Sequence, residues 1–443
     1  MNFRNYKRLA VCGLAIALSA CGLFSKDKVQ LDGERIAVLR ESAMLAPDFE
    51  ANEVKIKLPK PHTNAKWSQT GGNSIHMMGH LQAGSKLKKF WKSGFGEGNS
   101  KRDYLLAAPV IAYNVVFTID ADAEVRAFRL DDGDEIWSKR VKPLNKDERD
   151  VSMKGAGLAE FNHKIYVTTG FGGVFALDMK TGKQIWRFDE PSPIRIAPTV
   201  AAGKVFVQTI ENSLIALDAE NGKELWRYKT STEATTLVGG ASPAYDPEQD
   251  VVIAAFSTGE LRAFKASTGS SLWSDLLVTR RRTNTLANIN GIKASPVIDG
   301  DVVYALGHSN ILTAIDLRSG NRIWEREIGG INQPWIAGKY LYVLSSDFDL
   351  IAMEKSSGKI VWNTNIPVNI DEDNRAGLFA NGPVLTSNRL IVSTSNGYVF
   401  AVSPYDGKIL GYITLSDGVE VSPVVAGGIT VFTTNDADII AYK

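Results

Sequence analysis

The stretch Ala176-Leu177-Asp178-Met179-Lys180-Thr181-Gly182-Lys183-Gln184-Ile185-Trp186 returns about 40 residues later as Ala216-Leu217-Asp218-Ala219-Glu220-Asn221-Gly222-Lys223-Glu224-Leu225-Trp226. The same eleven-residue unit is marked by its glycine at Gly133, Gly182, Gly222, Gly269, Gly320, Gly358 and Gly407, about 38 to 51 residues apart. Six residues before each glycine stands an alanine: Ala127, Ala176, Ala216, Ala263, Ala314, Ala352 and Ala401. In six copies a tryptophan follows four residues after it, at Trp137, Trp186, Trp226, Trp273, Trp324 and Trp362. A proline precedes the alanine by eighteen to twenty residues in six units: Pro109, Pro198, Pro243, Pro296, Pro334 and Pro383. This period is the length of a four-stranded propeller blade. Gly411 stands where the seventh tryptophan would be and Leu158 where the second proline would be, so those two units are expected to be the least regular.

An eighth copy keeps Pro423 and Ala441 but has no glycine or tryptophan after them. The counterpart lies at the other end of the repeat, in Lys88-Lys89-Phe90-Trp91-Lys92, with Trp91 about one period before Trp137. The expected fold is therefore all-β: an eight-bladed β-propeller of four-stranded antiparallel blades, closed by an N-terminal strand that joins the C-terminal blade. Runs such as Lys204–Thr209 and Ser213–Leu217 are short, mostly apolar on both faces and separated by a polar turn, as strands packed between two neighbouring sheets should be. Glycine gives positive φ at the turn, alanine leaves room for an indole, and tryptophan brings a large apolar face with an N–H that needs an acceptor. Trp91, Trp137, Trp186, Trp226, Trp273, Trp324 and Trp362 thus read as blade-docking residues, against the alternative of an aromatic ligand platform.

Outside the repeat the chain divides into a segment 1–20, a segment 21–66 and the ring at 67–443. Arg4, Lys7 and Arg8 precede the apolar run Leu9–Ala20, which is the layout of a secretory signal and too short to span a bilayer. Leu18-Ser19-Ala20-Cys21 resembles a bacterial lipobox, which makes Cys21 the expected lipidation site; the alternative is an ordinary signal peptide followed by a chance cysteine. Several acyl chains on one residue give stable anchoring. Gly22 after the cysteine, in place of an aspartate, resembles lipoproteins sent to the outer membrane. Removing the signal takes away three cations and no anion, shifting the formal net charge from +1 to −2 and leaving no electrostatic case for nucleic acid. The folded part then holds no cysteine for a disulfide, a thiolate nucleophile or a metal. Residues 21–66, charged and carrying Pro47, Pro59 and Pro61, read as a flexible tether or an interaction segment.

The repeated unit resembles the tryptophan-docking motif of the quinoprotein dehydrogenases over about residues 67–443, including Trp67-Ser68-Gln69-Thr70-Gly71-Gly72 ahead of the first blade. With its lipobox and its length, the chain is most similar to the BamB family of outer-membrane assembly lipoproteins. That resemblance implies a non-enzymatic scaffold with no cofactor, on the periplasmic face of the outer membrane. Its implied partners are BamA, the wider assembly complex and unfolded outer-membrane protein clients. The dehydrogenase resemblance implies instead pyrroloquinoline quinone, a vicinal disulfide, a calcium site and an aspartate base; the cysteines are absent and the loops short. Ile194 and Arg195 match the aliphatic-arginine element of the BamB contact loop, although the loop here is shorter before Pro198. In the loop from Leu276 to Lys293, Asn288 and Asn290 stand where that family tends to place acids. Arg280 and Arg281 in the same loop belong either to this partner surface or to a solvated basic turn.

Two other readings were open. His76 and His80, four residues apart, have the spacing of metal ligands on a helix, without an evident third ligand; a solvated segment is the plainer expectation. The outer strand of each blade has a free edge to which a client strand could add, yet Lys139, Arg187, Arg227 and Arg326 near those edges would blunt them.

Overall fold

The structure is a computed structural model, and it describes residues 45–50, 53–84, 87–144, 154–232, 238–278, 291–368 and 377–443. Among these, 32 strands form eight four-stranded antiparallel sheets, an eight-bladed β-propeller. Seven blades are continuous in sequence, at 110–140, 155–189, 199–229, 244–276, 297–326, 335–365 and 380–414. In the eighth, the strands Val424–Ala426, Ile429–Thr433 and Asp438–Tyr442 take Lys89–Gly94 as the outer strand, and Trp91 lies opposite Ala441.

Each repeated residue has a mechanical task. Alanine and tryptophan are cross-strand partners in every blade that has both, Ala127 facing Trp137 and Ala216 facing Trp226, and a bulge follows directly after the alanine. The indole then leans onto the glycine turn of the next blade. A Cβ on Gly133, Gly182, Gly222, Gly269, Gly320, Gly358 or Gly407 would lie 2.6–2.7 Å from the tryptophan of the preceding blade. Each of these turn glycines has positive φ, so both its conformation and its contact exclude a side chain. The indole N–H donates to the carbonyl three residues before that glycine, from Trp91 to Leu130 (2.8 Å) through to Trp362 to Pro404 (3.2 Å). Seven interfaces are docked in this way.

The eighth interface, between the seventh and eighth blades, has no indole. The eighth blade's outer strand arrives from the other end of the ring, so no turn joins it to its neighbour and no glycine peptide is offered. Gly411 is consistent with this, and Ile391, Val399, Phe432, Ile440 and Tyr442 pack the interface instead. The two units expected to be irregular do differ, but in their innermost strands. Five of the continuous blades begin with a three-residue strand directly after the proline, which lacks an N–H and disfavours helical backbone before it. Leu158 lets the second blade pair over Gly155–Phe161, and the seventh pairs over Ala380–Thr386 with a register shift around Pro383.

The assignment of residues up to 66 to a flexible tether is corrected for its described part. Asp48 accepts from Arg326 and its N–H donates to the Ile360 carbonyl, Ile56 is buried, and Pro59 packs at Gly338. The segment 64–84 is also not solvated. The innermost strands leave one edge facing the axis, and unpaired backbone there must find partners. Trp67 exchanges two 2.8 Å hydrogen bonds with Ile111 of the first blade; Glu160, Tyr245 and Ile298 donate their N–H groups to Ser68, Ser74 and Ile75. Val200 donates to Gln69, Trp335 to the Gly79 carbonyl, Ser387 to Leu81 and Gly427 to Asn64. One segment thereby touches all eight blades and plugs the channel.

If indole docking closes the ring, Trp91→Ala should lower stability by about 3–5 kcal/mol through the vacated volume. Trp91→Phe should cost less, on the order of 1–3 kcal/mol, by leaving the Leu130 carbonyl without its donor. Denaturant midpoints check both; a Trp91→Ala midpoint equal to that of the native chain would contradict the docking role.

Candidate functional site

Among the described residues the plug closes one side of the channel and leaves the other open, on the side where the chain arrives at each innermost strand. There the eight blades surround a cavity of about 450 Å³, with Trp67, Gln69, Thr70 and Gly71 of the plug as its floor. Trp67 stacks with Trp335 at a centroid distance of 6.1 Å. Tyr104, Val238 and Phe379 stand at the mouth, 38%, 47% and 50% exposed, and form an apolar rim.

Charge enters the wall at three residues: Arg195, Lys293 and Glu420. Several neutral polar side chains are engaged with the protein. Asn332 donates to the Ala380 carbonyl, Asn381 to that of Val419 and Gln333 to that of His76. Ser242 donates to the Ala197 carbonyl and receives from none of the cations, while its N–H donates to Ser295. By contrast the Arg195 Nε is buried without a partner, and burial lowers the pKa of its guanidinium. Burial also pushes Lys293 down, opposed by the Glu420 carboxylate. Gly239 lies beside the Lys293 side chain and the Arg195 backbone: a Cβ there would be 3.7 Å from Lys293 Cε and 3.9 Å from the Arg195 carbonyl oxygen.

Of the residues expected to contact a partner, the structure separates Ile194 from Arg195. Ile194 has no exposed surface and sits in the core between the second and third blades, so its assignment to a contact surface is corrected. Alternation along an extended segment sends its neighbour the other way, to the cavity. Arg280, Arg281, Asn288 and Asn290 lie outside the described residues, as does Cys21. The loop ends at Lys293, which does share a cavity wall with Arg195. Lys293 fell within a loop already singled out, whereas Glu420, Tyr104 and Phe379 carried no sequence signal; only the closed ring brings them together.

The family described as outer membrane protein assembly factor BamB matches residues 121–364. The assembly factor BamB of Salmonella typhimurium is 30% identical over 79% of this chain and 87% of its own length. The chain belongs to the BamB family. Among solved structures, BamB from Moraxella catarrhalis superposes with a TM-score of 0.67 at 17% identity, covering 81% of this chain and all of that one. A quinohemoprotein alcohol dehydrogenase from Pseudomonas putida HK5 superposes almost as well, with a TM-score of 0.65 at 16% identity over 86% of this chain and 80% of its own. That second likeness is one of fold. The residues here do not suit a quinone site of the dehydrogenase kind: the only cysteines are Cys12 and Cys21, and no three His, Cys, Asp or Glu side chains converge among the described residues.

In this BamB-family ring the two spaced histidines fasten the plug. His76 Nδ1 lies 2.8 Å from the Pro296 carbonyl of the fifth blade and is read as donating to it. His80 Nδ1 does the same to Pro59 at 2.7 Å, and its Nε2 accepts from the Asn388 N–H. Both are therefore neutral and buried, in place of the solvated segment expected. Desolvation lowers the His76 pKa to about 4 and that of His80 in the same direction.

An unfolded chain takes up a proton on His76 below about pH 6.5, the folded one only below about 4. Stability should thus be full above the higher value and fall as pH drops through this window, by on the order of 3 kcal/mol from His76. Asparagine tolerates the positive φ of His76 (62°) and can still donate to Pro296. His76→Asn should flatten the dependence of the denaturant midpoint between pH 7 and 4.5, and an unchanged slope would remove His76 as its source.

Proposed function

We propose that this chain is a lipoprotein anchored through Cys21 at the periplasmic face of the outer membrane, where it serves as a non-enzymatic scaffold binding the periplasmic domains of BamA. Membership of the BamB family supports the assembly role. The observation that carries the reading to a surface is the asymmetry of the ring: one side is filled by its own plug, while the other presents an apolar rim around Arg195. A large aromatic beside an arginine is the usual make-up of an interface anchor. Lys293, at the end of the loop singled out in the sequence, lines the same cavity, and Leu276 at its start is 55% exposed.

Addition of client strands to the blade edges is the weaker reading. The cations there are held in local pairs, Arg227 with Glu190 and Glu224 and Arg326 with Asp48, and Arg187 pairs with Asp189. Fixed charges along an outer strand discourage pairing. A dehydrogenase-like activity is disfavoured by the missing cysteines.

Arg195→Glu should reduce recovery of BamA with the tagged chain from membranes by at least about tenfold, with an unchanged circular dichroism spectrum, because reversing an interface charge opposes docking. Ile194→Ala should instead cost about 2–5 kcal/mol of stability. Full recovery with Arg195→Glu would take Arg195 out of the contact.

A further inference from the structure

We propose that the cavity at the channel mouth is a binding site for a small carboxylate with an aromatic or aliphatic body, the anion held by Lys293 and Arg195 and the apolar part by Tyr104, Phe379 and the Trp67 floor. The proposal shares the mouth and Arg195 with the BamA reading but rests on the enclosed volume and the unpaired cations, which that reading does not use. A volume of about 450 Å³ lies in the range that encloses small organic ligands. The wall amides of Asn332, Asn381 and Gln333 and the Ser242 hydroxyl already donate to protein carbonyls, so they ask little of a ligand. The two cations do not: neither is ion-paired among the described residues, and the Arg195 Nε is both buried and unpartnered.

A partly desolvated cation without a counter-ion is unfavourable, and an anion that enters from solvent offsets that cost while forming charge-assisted hydrogen bonds. Glu420 neutralises only part of the charge: its carboxylate acts on Lys293, while Arg195 feels burial alone. A cationic or neutral polar ligand would leave the excess positive charge unmet. A bare inorganic anion would leave the apolar rim exposed to water, so the site asks for both an anionic head and an apolar body.

Calorimetric titration of the purified protein with 2-naphthoate and its uncharged isostere 2-naphthamide tests this. Naphthoate should bind saturably, and the amide at least about tenfold more weakly, the range expected for loss of a charge-assisted hydrogen bond. Lys293→Met, which keeps the apolar stem, should weaken naphthoate by a similar factor without affecting the amide. Glu420→Gln should tighten naphthoate several-fold, a gain that damage to the fold would not produce. Displacement of naphthoate by an apolar tripeptide with a free, but not an amidated, C-terminus would support the site with a chain end as the natural carrier. No displacement by either would support it with a free acid. Equal affinity for acid and amide, or a naphthoate affinity unmoved by both substitutions, would overturn the proposal.

Discussion

The structure depends on one contact, an indole laid flat on a glycine peptide of the next blade with its N–H bonded to a carbonyl of the same turn. The contact is geometrically narrow: any Cβ on the glycine would enter the ring of the indole. It joins two apolar sheets by an oriented polar bond as well as by area, so it fixes the angle between blades, and seven equal angles all but determine the eighth. The interface without an indole can therefore rely on ordinary packing of Val399, Phe432 and Ile440.

Residues 64–94 close the ring in two senses. Lys89–Gly94 completes the eighth blade and closes it around the circumference, while 64–84 crosses the axis and binds the inner edge of every blade. The buried neutral histidines lie in the second element, so protonation in the unfolded chain bears on the part that holds all eight blades together.

The fold was legible because its determinants are local and repeated: alanine, glycine and tryptophan at fixed offsets specify strand partner, turn and docking, and Trp91 could be matched to Ala441 from spacing alone. The plug was not legible. Its partners are backbone groups spread from Ile111 to Gly427, and no side-chain pattern records a bond to a carbonyl. Proline and charge in residues 45–66 suggested a loose chain, but they also suit an extended segment whose hydrogen bonds go to another element. Ile194 and Arg195 are adjacent in an extended segment, where alternation places one of them inward.

Two structures of similar fold, an assembly factor and an alcohol dehydrogenase, superpose on this ring with TM-scores of 0.67 and 0.65. The frame therefore does not separate their chemistries. The docking residues lie between blades, whereas the cavity is built by the segments that arrive at each innermost strand, one from every repeat. Those segments can change without disturbing an indole or a glycine turn. Arg195, Lys293 and Glu420 occupy three such segments and have no part in the repeat, so their convergence is not something the fold requires. Arg195 and Lys293 are partly desolvated without an ion pair among the described residues, a cost that apolar side chains in their place would not carry. Side chains that the frame does not need and that cost it stability are where a function of this chain, as opposed to its architecture, has to be sought.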